Sequence, residues 1–190
     1  MTTIAIAKKN GYAAIAVDSL TTFGNLKETA ERVTNYQKMF EYKGNFIATS
    51  GWGAFQQALE DFLANTKDKF LFNNVGNIFQ SSLRIHEALR DSYFLRPFDS
   101  DSDSFETSRG LMLVANANGI FSISDYRFVQ EHTLYSAGGS GSDYALGAMF
   151  ARFEETELSA EEIVTVGLRA AAEFDNGTGF PITCESIRLA

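Results

Sequence analysis

Four separated segments bring together residue types that can do chemistry: Thr2-Thr3-Ile4, Ala16-Val17-Asp18-Ser19, Tyr36-Gln37-Lys38-Met39-Phe40 and Asp175-Asn176-Gly177-Thr178-Gly179. Between them lie Ser50-Gly51 and the run Gly139-Ser140-Gly141-Ser142-Asp143-Tyr144-Ala145. Hydroxyls, carboxylates and one ammonium are the parts of an acyl-transfer site, provided a base stands beside one hydroxyl. Lys38 is the most informative of them. If 34–42 is a strand, one face carries Tyr36, Lys38, Phe40 and Tyr42 and the other carries Asn35, Gln37, Met39 and Glu41. A charge on that aromatic face must snorkel out to water or pair with a carboxylate. An exposed edge-strand lysine is the plain alternative, and Asp18 at the end of a small-residue strand can equally be a turn former.

The elements that must position these residues follow from the pattern of apolar positions. Residues 3–9 and 12–18 are short β-rich runs joined at Asn10-Gly11, a pair that tolerates positive φ and marks a two-residue hairpin. Further strands are expected at about 34–42, 45–50, 110–117, 119–125 and 181–189, with a second hairpin around Asn118-Gly119. Trp52, Phe55, Leu59, Phe62 and Leu63 recur at helical spacing. A long helix over roughly 73–95 places Phe79, Leu83, Leu89 and Tyr93 near one face and ends before Pro97. A glycine-rich turn at 137–142 opens a helix running to about 156. Ser159-Ala160-Glu161-Glu162 then reads as a capping box for a helix burying Ile163, Val166, Gly167, Ala170, Ala171 and Phe174. Strands, two helices, strands, two helices and a last strand suit an α+β fold: a four-layer αββα sandwich of two antiparallel sheets between helical layers, in one domain over 1–190.

Bulk properties narrow the functional classes. The chain has 190 residues, 45% hydrophobic and 21% charged, which is ordinary globular usage with enough length for a sizeable core. A net charge of −8 argues against a nucleic-acid binder, which would show a basic face. The one cysteine, Cys184, excludes an internal disulfide and points to a reducing cytoplasm; in the alternation Ile182, Cys184, Ser186 it reads as a small strand residue. Residues 3–7 are apolar, but Lys8, Lys9 and Asn10 end the run far short of a signal peptide or a membrane span. The Met1-Thr2 start, with no propeptide expected ahead of it, favours removal of the initiator methionine, because the second side chain is small.

The opening TTIAIAKKNGYAAIAVDSLTTFGN resembles proteasome β-subunits and the bacterial HslV peptidase, as does GGSGSDYALGAMFARFEETELSAEEI. The stretch TNYQKMFEYKGNFIATSGW is similar to Anbu-type bacterial proteasome homologues, the branch suggested here. The resemblance spans the whole chain in order and is weakest over 65–110. It implies an N-terminal nucleophile hydrolase with Thr2 as nucleophile once Met1 is gone. A free α-amino group has a pKa of about 7.7–8.0, near working pH, so it can accept the hydroxyl proton through water. A neighbouring ammonium lowers that pKa further. The resemblance gives this role to Lys38, held by Asp18. It makes the backbone N–H of Gly51 the oxyanion donor, and Ser140, Asp175 and Thr178 the residues that orient the N-terminus and the water. Thr178 stands where proteasomes usually carry serine. The segment between Asp18 and Lys38 is longer than in proteasome and HslV patterns, so counting alone leaves Lys27 as the alternative to Lys38.

By the same resemblance the substrate pocket takes Thr21, Thr22, Tyr36, Phe40, Thr49 and Gly53, a set that leads to an expected preference for apolar side chains. It further implies self-association into stacked double rings, of fourteen subunits rather than twelve, a polypeptide substrate, and a separate ATP-dependent unfoldase as partner. No cofactor, metal, nucleic acid or membrane is expected. The competing readings are an N-terminal nucleophile amidase acting on a small amide, and a ring subunit that assembles without cleaving.

Three other signals are weaker. Gly138-Gly139-Ser140-Gly141 is followed by no Lys-Ser or Lys-Thr pair and does not make a phosphate loop. Asp99, Asp101 and Asp103 alternate like an EF-hand start, but the glycine after Asp103 is absent and Gly110 stands at the closing position. His86 and His132 are isolated and read as structural.

Overall fold

The computed structural model describes residues 1–98 and 104–190, so the acidic run Asp99, Asp101 and Asp103 lies outside the described residues. Strands β1 (Thr3–Lys9) and β2 (Tyr12–Asp18) form the expected hairpin, with Asn10 at φ 52° and Gly11 at φ 79°. Two short strands not expected from sequence follow, β3 (Thr21–Phe23) and β4 (Leu26–Glu28). Then come β5 (Met39–Tyr42), β6 (Asn45–Gly51), α1 (Gly53–Asn65) and α2 (Val75–Ser92). The second half holds β7 (Gly110–Asn116), β8 (Gly119–Ile123), β9 (Val129–His132), β10 (Tyr135–Gly139), α3 (Ser142–Arg152), α4 (Ala160–Phe174) and β11 (Ile182–Arg188).

These elements make four layers. One main sheet has the order β10-β1-β2-β11 and the other β5-β6-β7-β8-β9, β3 and β4 form a separate two-stranded ribbon, and every pairing is antiparallel. The sequence TIAIA of β1 explains how the layers stack. Ile4 and Ile6 point into the core between the sheets, with Ile15 and Val17 of β2. Ala5 and Ala7, with Ala14 and Ala16, face α4, and their small side chains let that helix lie close. Full burial of each isoleucine contributes about 1.5–3 kcal/mol. A third core, around Ile47, Leu59, Ile78, Leu89, Val114 and Phe121, seals the other sheet against α1 and α2.

Several expectations shift. The strand expected at 34–42 pairs only over 39–42: the Lys38 carbonyl still accepts from Thr49 N (3.2 Å), but upstream the chain leaves the ladder. From the edge of that ladder the Lys38 side chain reaches Asp18 of the other sheet. The second hairpin turns at Ala117-Asn118, because Asn116 pairs with Gly119. Residues 137–139 of the glycine-rich segment extend β10 along β1, and α3 ends at Arg152. The buried face of α2 is Ile78, Ser81, Ser82, Ile85, His86 and Leu89, leaving Phe79 and Leu83 exposed. In α4 the capping box of Ser159 and Glu162 is present, but the buried stripe runs through Val164 and Leu168, and Phe174 is exposed. The α2 face is rotated because serine and histidine fill core positions that hydropathy alone passes over.

Candidate active site

The strand β1 delivers Thr2 to the rim of a groove of about 1410 Å³. Neighbouring strand ends deliver its partners: β2 ends at Asp18, β6 at Gly51 and β10 at Gly139. Gly139 sits at φ +98°, and a Cβ there would lie 1.9 Å from the Thr2 carbonyl oxygen. That oxygen accepts from Ser140 N at 2.9 Å, so the glycine permits the approach that holds Thr2 in place. Gly139→Ala is expected to destabilise the protein by about 3 kcal/mol, the top of the range for a forced backbone conformation. Thermal unfolding checks this, and a midpoint equal to wild type would refute the constraint.

The two neighbouring threonines differ in commitment. Gly141 N donates to Thr3 Oγ1 (2.8 Å), which lies 2.6 Å from Thr178 Oγ1, which donates to Asp175 Oδ2 (2.6 Å). Ser140 Oγ donates to the same carboxylate oxygen at 2.7 Å. The Thr3 hydroxyl is thus consumed in a relay under the floor of the site. Thr2 is 6% exposed, and its hydroxyl makes no hydrogen bond to any described residue. It is the free hydroxyl of the pair. Thr3 was not expected as a site residue; a second threonine at the strand start was its only signal.

Lys38 is placed as an internal cation. Its Nζ donates to Asp18 Oδ1 (3.0 Å), Leu20 O (2.6 Å) and Met1 O (3.1 Å), which satisfies all three protons. Asp18 also accepts from the amides of Thr3, Leu20 and Gly179. Burial pushes the Asp18 carboxyl up and the Lys38 ammonium down, each opposed by the other's charge. Lys38 Nζ and three backbone amides donate to this one carboxylate, and each donor favours its ionised form. Lys27, the alternative, is exposed on β4 opposite Thr22 and makes no ion pair with Asp18. For Asp175, burial pulls the carboxyl up, but hydrogen bonds from Thr178, Ser140 and the Gly177 amide outweigh it, so the group lies below its usual range.

Met1 covers the site. Its amine donates to Thr22 Oγ1 at 3.1 Å and its side chain lies against Gly177, where a Cβ would fall 2.4 Å from Met1 Cβ. Burial, then the charge of Lys38, lowers the pKa of this amine from its ordinary 8.0. Met1 is 54% exposed, so it is a lid over the groove rather than part of the core. While it is present, Thr2 nitrogen is an amide and holds no basic lone pair.

The groove gathers the rest of the expected set. Thr21, Thr22, Tyr36, Phe40, Thr49, Gly51 and Gly53 all line it with Thr2 and Lys38. Tyr36 and Phe40 supply aromatic wall. The facing stripe of α1 is polar: Gly53, Gln56, Gln57 and Glu60, at spacings of three and four residues that put them on one helix face. That stripe is legible in the sequence from its helical spacing alone. Outside the groove, His86 sits between Ser108 Oγ (3.0 Å) and Glu106 Oε2 (2.7 Å), tying α2 to the loop that leads into Gly110 opposite Gly51.

No family model matches the chain. Among known proteins it is 29% identical to the ATP-dependent protease subunit HslV of Aquifex aeolicus over 175 residues, 90% of this chain and 89% of that protein. Its structure is similar to Thiobacillus denitrificans BPH, with a TM-score of 0.94, 37% identity and coverage of 99% and 98% of the two chains. The BPH complex with epoxomicin gives 0.93, 36% and 99% of each chain. Eukaryotic HslV from Trypanosoma brucei shares the fold, at a TM-score of 0.70 and 17% identity over 98% of this chain and 99% of that one.

Proposed function

The chain belongs to the family of proteasome β-subunits and HslV-like N-terminal nucleophile hydrolases, and on that premise we propose that it is a threonine-type endopeptidase whose nucleophile is Thr2 after loss of Met1. The observation that carries this reading is the uncommitted Thr2 hydroxyl beside a buried cation, with Lys38 Nζ 3.1 Å from the carbonyl bonded to Thr2 nitrogen. Once Met1 leaves, that nitrogen becomes the α-amine and Lys38 is its nearest cation.

The reaction then follows in balanced steps. Thr2 Oγ1 attacks the substrate carbonyl as its proton passes, through water, to the α-amine. The Gly51 N–H stabilises the oxyanion. The C–N bond breaks, the amine product leaves with the proton, and an ester to Thr2 remains. Water, deprotonated by the same amine, hydrolyses that ester and restores the free hydroxyl. Asp175, Ser140 and Thr178 hold the nitrogen and the strand start in register throughout. An open groove of about 1410 Å³ suits an extended polypeptide better than a small amide.

The proposal extends to assembly into stacked rings with a separate ATPase partner, which the similarity to HslV, an ATP-dependent protease subunit, supports. No helix of the described residues is long and apolar enough to cross a membrane. The test joins assembly to activity: native mass spectrometry is expected to give a double ring, of fourteen subunits, and the ring fraction is expected to hydrolyse unfolded casein. A monomer at micromolar concentration refutes the assembly, and an assembled, Met1-free ring inert toward every peptide refutes the peptidase.

A further inference from the structure

We propose that the groove beside Thr2 selects substrates with a long cationic side chain, Lys or Arg, at the residue whose carbonyl is attacked, and that Glu60 receives the charged head. This rests on the peptidase reading and assigns it a substrate class. The composition of the two walls is the first argument. Tyr36 and Phe40 offer an apolar surface on one side, whereas the groove face of α1 presents only Gly53, Gln56, Gln57 and Glu60. A Cβ on Gly53 would meet nothing within 4 Å, so the helix start stands clear and admits a long side chain.

The second argument is a hydrogen-bond chain that fixes Glu60. Thr49 Oγ1 donates weakly to Gln56 Oε1 (3.4 Å), and Gln56 Nε2 donates to Gln37 O (3.0 Å) and to Glu60 Oε1 (2.6 Å). Both Gln56 N–H groups are therefore used, and the amide offers the substrate no donor. The second carboxylate oxygen of Glu60 makes no hydrogen bond to any described residue. Among the described residues Glu60 also forms no ion pair. The two cations lining the groove are engaged elsewhere: Lys38 with Asp18, and Arg109 with the carbonyls of Arg96 and Phe98. Of the carboxylates that line the groove, Glu28, Glu41, Glu60 and Asp125, Glu60 is the one on the α1 wall, held by Gln56 and lacking a cation.

This preference replaces the apolar one expected from the sequence, because an apolar side chain pressed against the polar α1 wall would strip water from Glu60 and from the Gln56 amide without replacing it. A Lys or Arg side chain lays its methylene stem along the aromatic wall and brings donors to the carboxylate. A carboxylate side chain meets like charge.

The test uses reporter peptides identical except for Arg, Leu or Glu before the scissile bond, with kcat/KM measured on the assembled, Met1-free protein. Wild type is expected to favour Arg over Leu by about tenfold or more, with Glu slowest. Glu60→Gln is expected to cut the Arg-to-Leu ratio about tenfold, and raised salt is expected to narrow the wild-type ratio. A wild-type ratio at or below one overturns the proposal even where the variant fails to assemble, as does an Arg preference that survives Glu60→Gln. Loss of all three activities in assembled wild type instead overturns the peptidase reading.

Discussion

Lys38→Met is expected to assemble normally and lose turnover by about 10²–10⁴-fold, the range associated with disabling a general base. Methionine keeps much of the stem volume but removes the charge that lowers the neighbouring amine. The pH profile separates this from simple damage. In wild type, activity is expected to rise along one limb of that profile as the Thr2 amine deprotonates, because burial and a nearby cation favour the neutral form of an amine, as they do for the Met1 amine in this structure. Without Lys38 that limb moves toward higher pH, so residual activity recovers in alkaline buffer. Lys38→Ala adds a cavity and leaves Asp18, only 1% exposed, without its cation. A stability loss of about 3–5 kcal/mol accompanies it. Lys27→Ala is expected to be nearly silent, since that side chain is exposed on β4. Wild-type cleavage by an assembled Lys38→Met protein, or an unshifted limb, contradicts the role assigned to this cation.

Thr2→Ala carries the other large effect. It deletes the hydroxyl while leaving the α-amine, Lys38 and the groove in place. Peptide hydrolysis is expected to fall to background, about 10⁴-fold or more. The fold is expected to persist, because the Thr2 side chain makes no hydrogen bond to a described residue and its carbonyl still accepts from Ser140 N. Thr3→Ala is the instructive contrast. It breaks the relay from Gly141 through Thr178 to Asp175, so it lowers stability and activity together. Comparing unfolding midpoints with kcat for the two variants distinguishes a reacting hydroxyl from a positioning one. Residual wild-type turnover in Thr2→Ala moves the nucleophile elsewhere.

Much of this arrangement was legible in the residues. Alternating isoleucine and alanine in β1 dictated a strand buried on both faces, Asn10-Gly11 dictated its hairpin, and Ser159 with Glu162 marked a helix start. The charged residue among aromatics at 36–42 pointed to a paired lysine, and Lys38 does pair with Asp18. Its strand context was too long, because the ladder runs over Met39–Tyr42 and the chain departs upstream of Lys38. That is a tertiary demand to which the local pattern is blind. The helix faces were misplaced for a related reason: Ser81, Ser82 and His86 are buried through hydrogen bonds to Leu71, Phe79, Ser108 and Glu106, which hydropathy does not score. The site roles assigned to Gly51, Ser140, Asp175 and Thr178 came from family resemblance; spacing alone would not have joined residues 2, 38, 140 and 175. The polar stripe of α1 was in plain view at helical spacing, but nothing local said that this face would turn toward Thr2.

The central claim is that catalysis needs a free amine on Thr2, and one sample tests it. Intact mass and peptide-hydrolysis rate are measured on the same ring fraction, beside a variant in which Thr2 is preceded by a residue that is not removed. The account predicts that active wild-type rings carry subunits beginning at Thr2 and that the blocked variant assembles without turnover. Full activity in rings whose every subunit retains Met1 would contradict it.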